Sequence, residues 1–190
     1  LNKKNKIFII SGPSGVGKTT LINMLLKEFS TKFIKSISYT TRKKRNKEIK
    51  DKDYFFISTN EFKEKIKQNE FLEHTKSYNN YYGTSKKFIL ENQKKTIILI
   101  IDTKGAKKLK LHNKNYDMTF IFIKPPSLAV LEKRLLQRKT ESEKTIKERL
   151  EKTKEEIKSI KLYNYVFVND KIKKSFTILR SIIIAEEHKN

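Results

Sequence analysis

The sequence contains no cysteine and no tryptophan, three histidines, and only 21 acidic residues against 44 lysines and arginines. Without cysteine there is no disulfide framework, no Cys-ligated zinc site and no thiol catalysis. His74, His112 and His188 stand too far apart to form a helical metal motif. No apolar run reaches the roughly 20 residues of a membrane helix. The stretch Ile7–Ile10 is too short for a signal peptide. A soluble, cytoplasmic protein without a membrane partner is the expectation. At 190 residues the chain can bury a substantial core without staples. It suggests one domain carrying a small insertion.

The formal charge of +23, with 36% hydrophobic residues, resembles disordered composition. The distribution argues against disorder, because dense Ile, Phe and Leu blocks alternate with charged segments of helix length. The charge has two readings: a nucleic-acid-binding patch, or lysines scattered over solvated faces by a biased composition. No helix-turn-helix pattern, Arg-rich tract or RNA-binding aromatic signature accompanies the lysines, so no specific nucleic-acid partner is expected.

Ile7–Ile10 reads as a buried strand. Leu21, Ile22, Leu25, Leu26 and Phe29 then follow a helical period. Further strands are expected at 33–39, 53–57, 96–101, 119–123 and 165–168. Ser58–Glu61 has the spacing of a capping box opening a helix to about Lys67, and Thr140–Glu143 has the same spacing. Helices are also expected over 127–138 and through Ile172, Phe176, Leu179 and Ile183. The pattern implies an α/β fold with a parallel sheet covered by helices on both faces. The polar, Tyr-rich stretch 38–88 interrupts it as an insertion.

Gly12-Pro13-Ser14-Gly15-Val16-Gly17-Lys18-Thr19 matches the phosphate-binding P-loop and lies between a strand and a helix. Its backbone N–H groups and the helix N-terminus suit phosphate oxygens, Lys18 the β/γ-phosphates, and Thr19 a Mg²⁺ ion. Thr20 follows directly. Arg42 and Arg45, with hydroxyls and Tyr39 close by, form either a clamp for a second phosphate or a basic surface loop. Taken alone, Glu73 reads as a strand-end acid, Thr84 as a turn residue, and Asn169 and Asp170 as a polar turn.

From about residue 6 to residue 188 the sequence resembles the guanylate kinase family. The matching pieces are Ser11–Thr19, Thr-Thr-Arg-x-x-Arg (40–45) with Glu48, Asp-Tyr-x-Phe (53–56) and Glu-Phe-Leu-Glu-His (70–74). Tyr-Tyr-Gly-Thr (81–84), Ile-Asp-x-x-Gly-Ala (101–106), Pro-Pro-Ser (125–127), Arg-Leu-x-x-Arg (134–138), Arg149 and Val-Asn-Asp (168–170) follow in family order. Only the P-loop is decisive alone; the order of the rest carries the resemblance.

The resemblance implies a P-loop NTPase fold with a GMP-binding lobe at 38–88 and a lid at 139–150. The core would comprise 1–37, 89–138 and 151–190. It implies transfer of the γ-phosphoryl group of MgATP to GMP, with dGMP as an expected second acceptor and the state open between monomer and homodimer. Ser38, Arg42, Arg45, Tyr54 and Tyr82 would hold the GMP phosphate, with Glu48 in the same loop. Glu73 and Thr84 would read guanine, the carboxylate accepting N1–H and the amino group while the hydroxyl donates to O6. Asp102 would lie close to both nucleotides, touching the metal directly or through water. Lys18, Arg45, Arg138 and Arg149 would neutralise the transferring phosphoryl group, and Asn169 and Asp170 would lie near the ATP base.

Lys47 and Asp51 stand where the family usually has glycine, and would be strained if those positions need positive φ. Ile100, Lys104 and Lys139 are further departures. Two rivals are a non-catalytic guanylate-kinase-like binding module and a basic nucleic-acid-binding P-loop protein.

Overall fold

The computed structural model describes residues 6–46, 48–112, 115–137 and 142–189. Five parallel strands form the main sheet: β1 (Lys6–Ser11), β2 (Phe33–Lys35), β7 (Thr96–Ile100), β8 (Asp117–Lys124) and β9 (Tyr165–Val168). Their spatial order is β2-β7-β1-β8-β9. The two-sided burial expected of such a sheet follows from the alternation of side chains along each strand. Phe8 and Ile10 of β1 face Leu21, Ile22 and Leu25 of α1 (Lys18–Glu28) and Leu179 and Ile183 of α7 (Ile172–Glu187). Ile7 and Ile9 face the other way, onto Ala106 and Leu109 of α4 (Thr103–His112) and onto Tyr163. Phe8 is fully buried, so Phe8→Ala should cost about 3–5 kcal/mol through lost contacts and a residual cavity.

The segment 33–39, expected as one strand, is two. β2 ends at Lys35, and β3 (Ser38–Thr40) belongs to a second sheet of order β4-β3-β6-β5. Ser36 donates its N–H to Ile98 O at 3.0 Å as the chain leaves the main sheet. β4 (Tyr54–Phe56) runs parallel to β3, while β6 (Asn80–Ser85) is antiparallel to β3 and to β5 (Phe71–Ser77). Across the open face lies α2 (Thr59–Lys67), opened by the expected Ser58–Glu61 capping box. Phe62 of this helix stacks on Phe71, with ring centroids 4.5 Å apart.

α3 (Lys86–Glu91) leads back to β7. α5 (Leu128–Leu136) follows β8 as expected, capped by Ser127. The cap of α6 (Glu143–Lys158) is Ser142, whose side chain accepts from Thr145 N–H, so this helix begins two residues beyond the expected box. Arg138, Lys139, Thr140, Glu141 and Lys47 lie outside the described residues. Leu131, Leu135 and Ile146 pack α5 against α6.

Candidate active site

Between the two sheets lies a cavity of about 460 Å³. One wall is the loop from β1 to α1. Gly12, Gly15 and Gly17 all have positive φ there, which glycine adopts without the Cβ penalty. A Cβ on Gly12 would lie 2.3 Å from Ile123 O, so only glycine fits against β8. Ser14, Lys18, Thr19 and Thr20 line the same wall. Lys18 Nζ donates to Gly12 O and, at 2.9 Å, to Pro13 O. Its ammonium is thus held at the mouth of the loop.

Two of the residues expected on the ATP side, Val16 and Asn169, serve the loop's own structure. Val16 is fully buried in the core, and its carbonyl accepts a 2.7 Å hydrogen bond from Asn169 Nδ2. Asn169 is itself buried and does not line the cavity. Its amide is used on the P-loop backbone. Arg134 of α5 donates to Asn169 O at 3.1 Å and Asp170 O at 3.3 Å, fixing the turn after β9.

The opposite wall is the second sheet. Ser38, Arg42, Arg45, Glu48, Tyr54 and Tyr82, which the family resemblance groups together, all line the cavity there. Glu48 organises the group. Its Oε1 accepts from Arg42 at 2.6 Å, and its Oε2 accepts from Arg45 N–H at 2.9 Å. Burial alone would raise the Glu48 pKa, but these donors hold it below the ordinary carboxylate value. The Arg42 guanidinium also lies over the rings of Tyr54 and Phe56, at 5.4 and 5.8 Å. Burial, chiefly, pushes the Tyr54 hydroxyl pKa up, so it stays protonated and able to donate. Asp51 has φ of 61°, the left-handed region anticipated for a family glycine position. Aspartate tolerates that region better than most residues.

Glu73 reaches the cavity through a β-bulge. Phe71 pairs with Ser85 while Glu73 pairs with Thr84, so Leu72 is an extra residue. Paired residues share a face, and Ser85 and Thr84 point opposite ways; Phe71 therefore turns to α2 and Glu73 to the cavity. Glu73 is 6% exposed and accepts from Thr84 Oγ1 at 2.8 Å. Burial first, and Asp102 second, push its pKa up to about 7, against the lowering effects of Thr84 and Lys108. Thr84 stands beside Glu73 on the same face but does not line the cavity; its hydroxyl donates to the carboxylate. Asp102, at the end of β7, accepts from Gly105 N–H at 2.8 Å and from Thr75 Oγ1 at 3.3 Å. The first of these bonds caps α4.

Arg149 enters the cavity from α6, and the structure adds three neighbours that the sequence reading did not single out. Lys152, Thr153 and Glu156 lie on the same helical face and line the same cavity. Spacings of three, four and seven from Arg149 are those of one face, so a helical projection from Arg149 identifies them. Glu156 is buried. Its pKa is raised, by burial above all, while Lys18, Lys152 and Arg149 work in the lowering direction. Ser77 and Tyr78, at the tip of the β5–β6 hairpin, complete this wall.

The family model described as guanylate kinase matches residues 4–186. The chain belongs to the guanylate kinase family. It is 47% identical over 191 residues to the guanylate kinase of Protochlamydia amoebophila, covering 99% of this chain and 94% of that relative. The guanylate kinase of Clostridium acetobutylicum is 43% identical over 98% of this chain and 88% of its own length. The crystal structure of guanylate kinase from Anaplasma phagocytophilum superposes with a TM-score of 0.79 at 31% identity. That match covers 99% of this chain and 89% of that one. The P-loop NTPase architecture expected from the resemblance is the observed one: a parallel sheet with helices on both faces and a second sheet inserted after β2.

Proposed function

We propose that the protein transfers the γ-phosphoryl group of MgATP to GMP, giving ADP and GDP. The observation that carries the reading is one shared cavity, with a P-loop on one wall and an arginine–tyrosine group beside a buried carboxyl on the other. In this reading ATP lies along the P-loop, whose backbone N–H groups and α1 N-terminus face the phosphates. GMP sits on the second sheet, its phosphate held by Ser38, Arg42, Arg45, Tyr54 and Tyr82. Glu73 accepts N1–H and N2–H of guanine. Those donors replace Thr84 on the carboxylate, which frees the Thr84 hydroxyl to donate to O6.

Phosphoryl transfer of this kind depends on positioning and charge compensation, because the acceptor phosphate is already an anionic nucleophile. Lys18 shifts from the loop carbonyls to the β/γ-phosphates. Arg45 and Arg149 approach the transferring group from opposite sides, with Arg138 assigned to the same task by family resemblance. A hydroxyl and an acid in one cavity, Thr19 and Asp102, suit an ion that takes most of its ligands from phosphate and water. Mg²⁺ bound there supplies neutralisation of the phosphate charge.

Residues 38–88 form the acceptor lobe in this proposal and 139–150 the lid, on a core of 1–37, 89–138 and 151–190. Among the described residues no helix is long and apolar enough to cross a membrane, and the cytoplasm is the proposed location. A coupled ADP-release assay offering GMP, AMP, dTMP and UMP side by side tests the reading. Preference for GMP is expected, and equal rates with AMP would overturn it.

A further inference from the structure

The β5–β6 hairpin turns through Tyr78 and Asn79, with Ser77 paired to Asn80. Both central residues have positive φ, 50° and 60°, as a two-residue hairpin loop of the type I′ class needs. Asparagine is at home in that region. A tyrosine is not, and backbone strain of this kind persists where the surroundings over-determine it. The surroundings here are cations. The Arg149 guanidinium lies 5.1 Å from the Tyr78 ring centroid and the Lys152 ammonium 4.5 Å. Lys152 also donates to Ser77 Oγ. The hairpin tip therefore grips the cavity-facing side of α6, while the same strand, β5, carries Glu73.

We infer that Tyr78 is a positioning residue for phosphoryl transfer, holding Arg149 over the cavity by cation–π contact from the hairpin that carries Glu73. The inference rests on the proposed GMP kinase reading. A residue chosen only to close the turn would be asparagine or glycine. An aromatic ring in a strained turn, against two basic residues that line the reaction cavity, has a use beyond the turn.

The test compares Tyr78→Asn, which suits the turn but removes the ring, with Tyr78→Phe, which keeps the ring face. Steady-state kinetics are read for both substrates, alongside thermal midpoints. Tyr78→Asn should lower kcat about tenfold, as loss of a partly desolvated cation–π contact implies. KM for ATP and GMP should stay essentially unchanged, because the lost interaction acts in the transition state. Tyr78→Phe should restore kcat, and the thermal midpoint of Tyr78→Asn should not fall. In an Arg149→Ala background, Tyr78→Asn should cause no further loss. Unchanged kcat in Tyr78→Asn, equal impairment in Tyr78→Phe, or a full additional loss in the double variant would overturn the positioning role alone. Failure of the unaltered protein to release ADP with GMP would overturn the kinase reading as well.

Discussion

Gly105 lies so close to Glu73 that a Cβ on it would sit 2.6 Å from Glu73 Oε2. The helix α4 therefore fixes the Glu73 carboxyl by contact, from an element that follows a strand of the other sheet. Gly105 N–H is simultaneously bonded to Asp102, so one residue sets the positions of both acids.

Gly105→Ala should displace Glu73 while leaving the helix intact, since alanine is the better helix former. A misplacement of about 1 Å costs on the order of 100-fold in rate. The expected result is a loss of that size in kcat/KM for GMP and a smaller loss for AMP, with a thermal midpoint that the helix gain keeps from falling far. An unaltered GMP/AMP ratio would show that the contact does not govern base choice.

Glu73→Gln replaces an acceptor with an amide that faces guanine donors. The cost should be about 2–4 kcal/mol in kcat/KM for GMP, or roughly 30- to 900-fold. AMP does not use the carboxylate and should lose much less. Arg42→Ala removes a contact to the phosphate shared by both substrates and should lower both alike. Parallel assays of the two variants with GMP and AMP separate base reading from phosphate holding.

The Glu73 pKa of about 7 ties both affinity and stability to pH. Guanine binding favours the carboxylate, so GMP affinity should fall as pH drops below 7, where a proton must first be displaced. AMP carries the same phosphate and corrects for its titration. The stability effect has the opposite sign. Between about 4.5, the ordinary value, and about 7 the folded state retains a proton that the unfolded chain has released. Stability therefore declines as pH rises through that window. The full penalty, roughly 3 kcal/mol for a shift of this size, is present above it. Glu73→Gln should raise the thermal midpoint at pH 8 while lowering GMP activity. An unchanged midpoint at pH 8 would mean that the buried carboxylate carries no such penalty.

Asn169 should act on ATP through the P-loop. Its amide donates to Val16 O, and a Cβ on Gly17 would lie 2.4 Å from the same nitrogen. Asn169→Ala leaves the buried Val16 carbonyl without this donor, at a cost of about 1–3 kcal/mol in stability. KM for ATP should rise, with KM for GMP little changed. Denaturant titration and paired substrate kinetics measure the two effects, and a rise confined to GMP would contradict the assignment.

The parts of the site legible in the sequence are those set by local spacing. The P-loop is eight contiguous residues, the Arg42–Glu48 group spans seven, and Asp102 closes an apolar strand. Features that depend on how strands register were not legible. Whether Glu73 faces the cavity is decided by the extra residue Leu72, and periodicity read through Phe71 gives Glu73 the wrong face. The division of 33–39 between two sheets likewise has no Gly or Pro to mark it; the sequence there is Phe-Ile-Lys-Ser-Ile-Ser-Tyr. Glu156 was missed because an acid on a charged helix reads as solvated until the helix has a partner surface. The Asn169 side chain was assigned to the ATP region, and only the packed structure directs it to Val16.

The short Ser36–Ile37 crossing has an evolutionary consequence. The P-loop belongs to the parallel sheet, while the Arg42–Glu48 group and Glu73 belong to the other sheet, reached there and left through α3. In the proposed reading, substitutions at Glu73, Thr84 or Arg42 therefore change acceptor choice without touching a backbone atom of the P-loop. In the same reading, changes around Asp51, whose left-handed backbone lies on the side of the second sheet, alter how the acceptor is held and leave the cradle for the nucleoside triphosphate as it is.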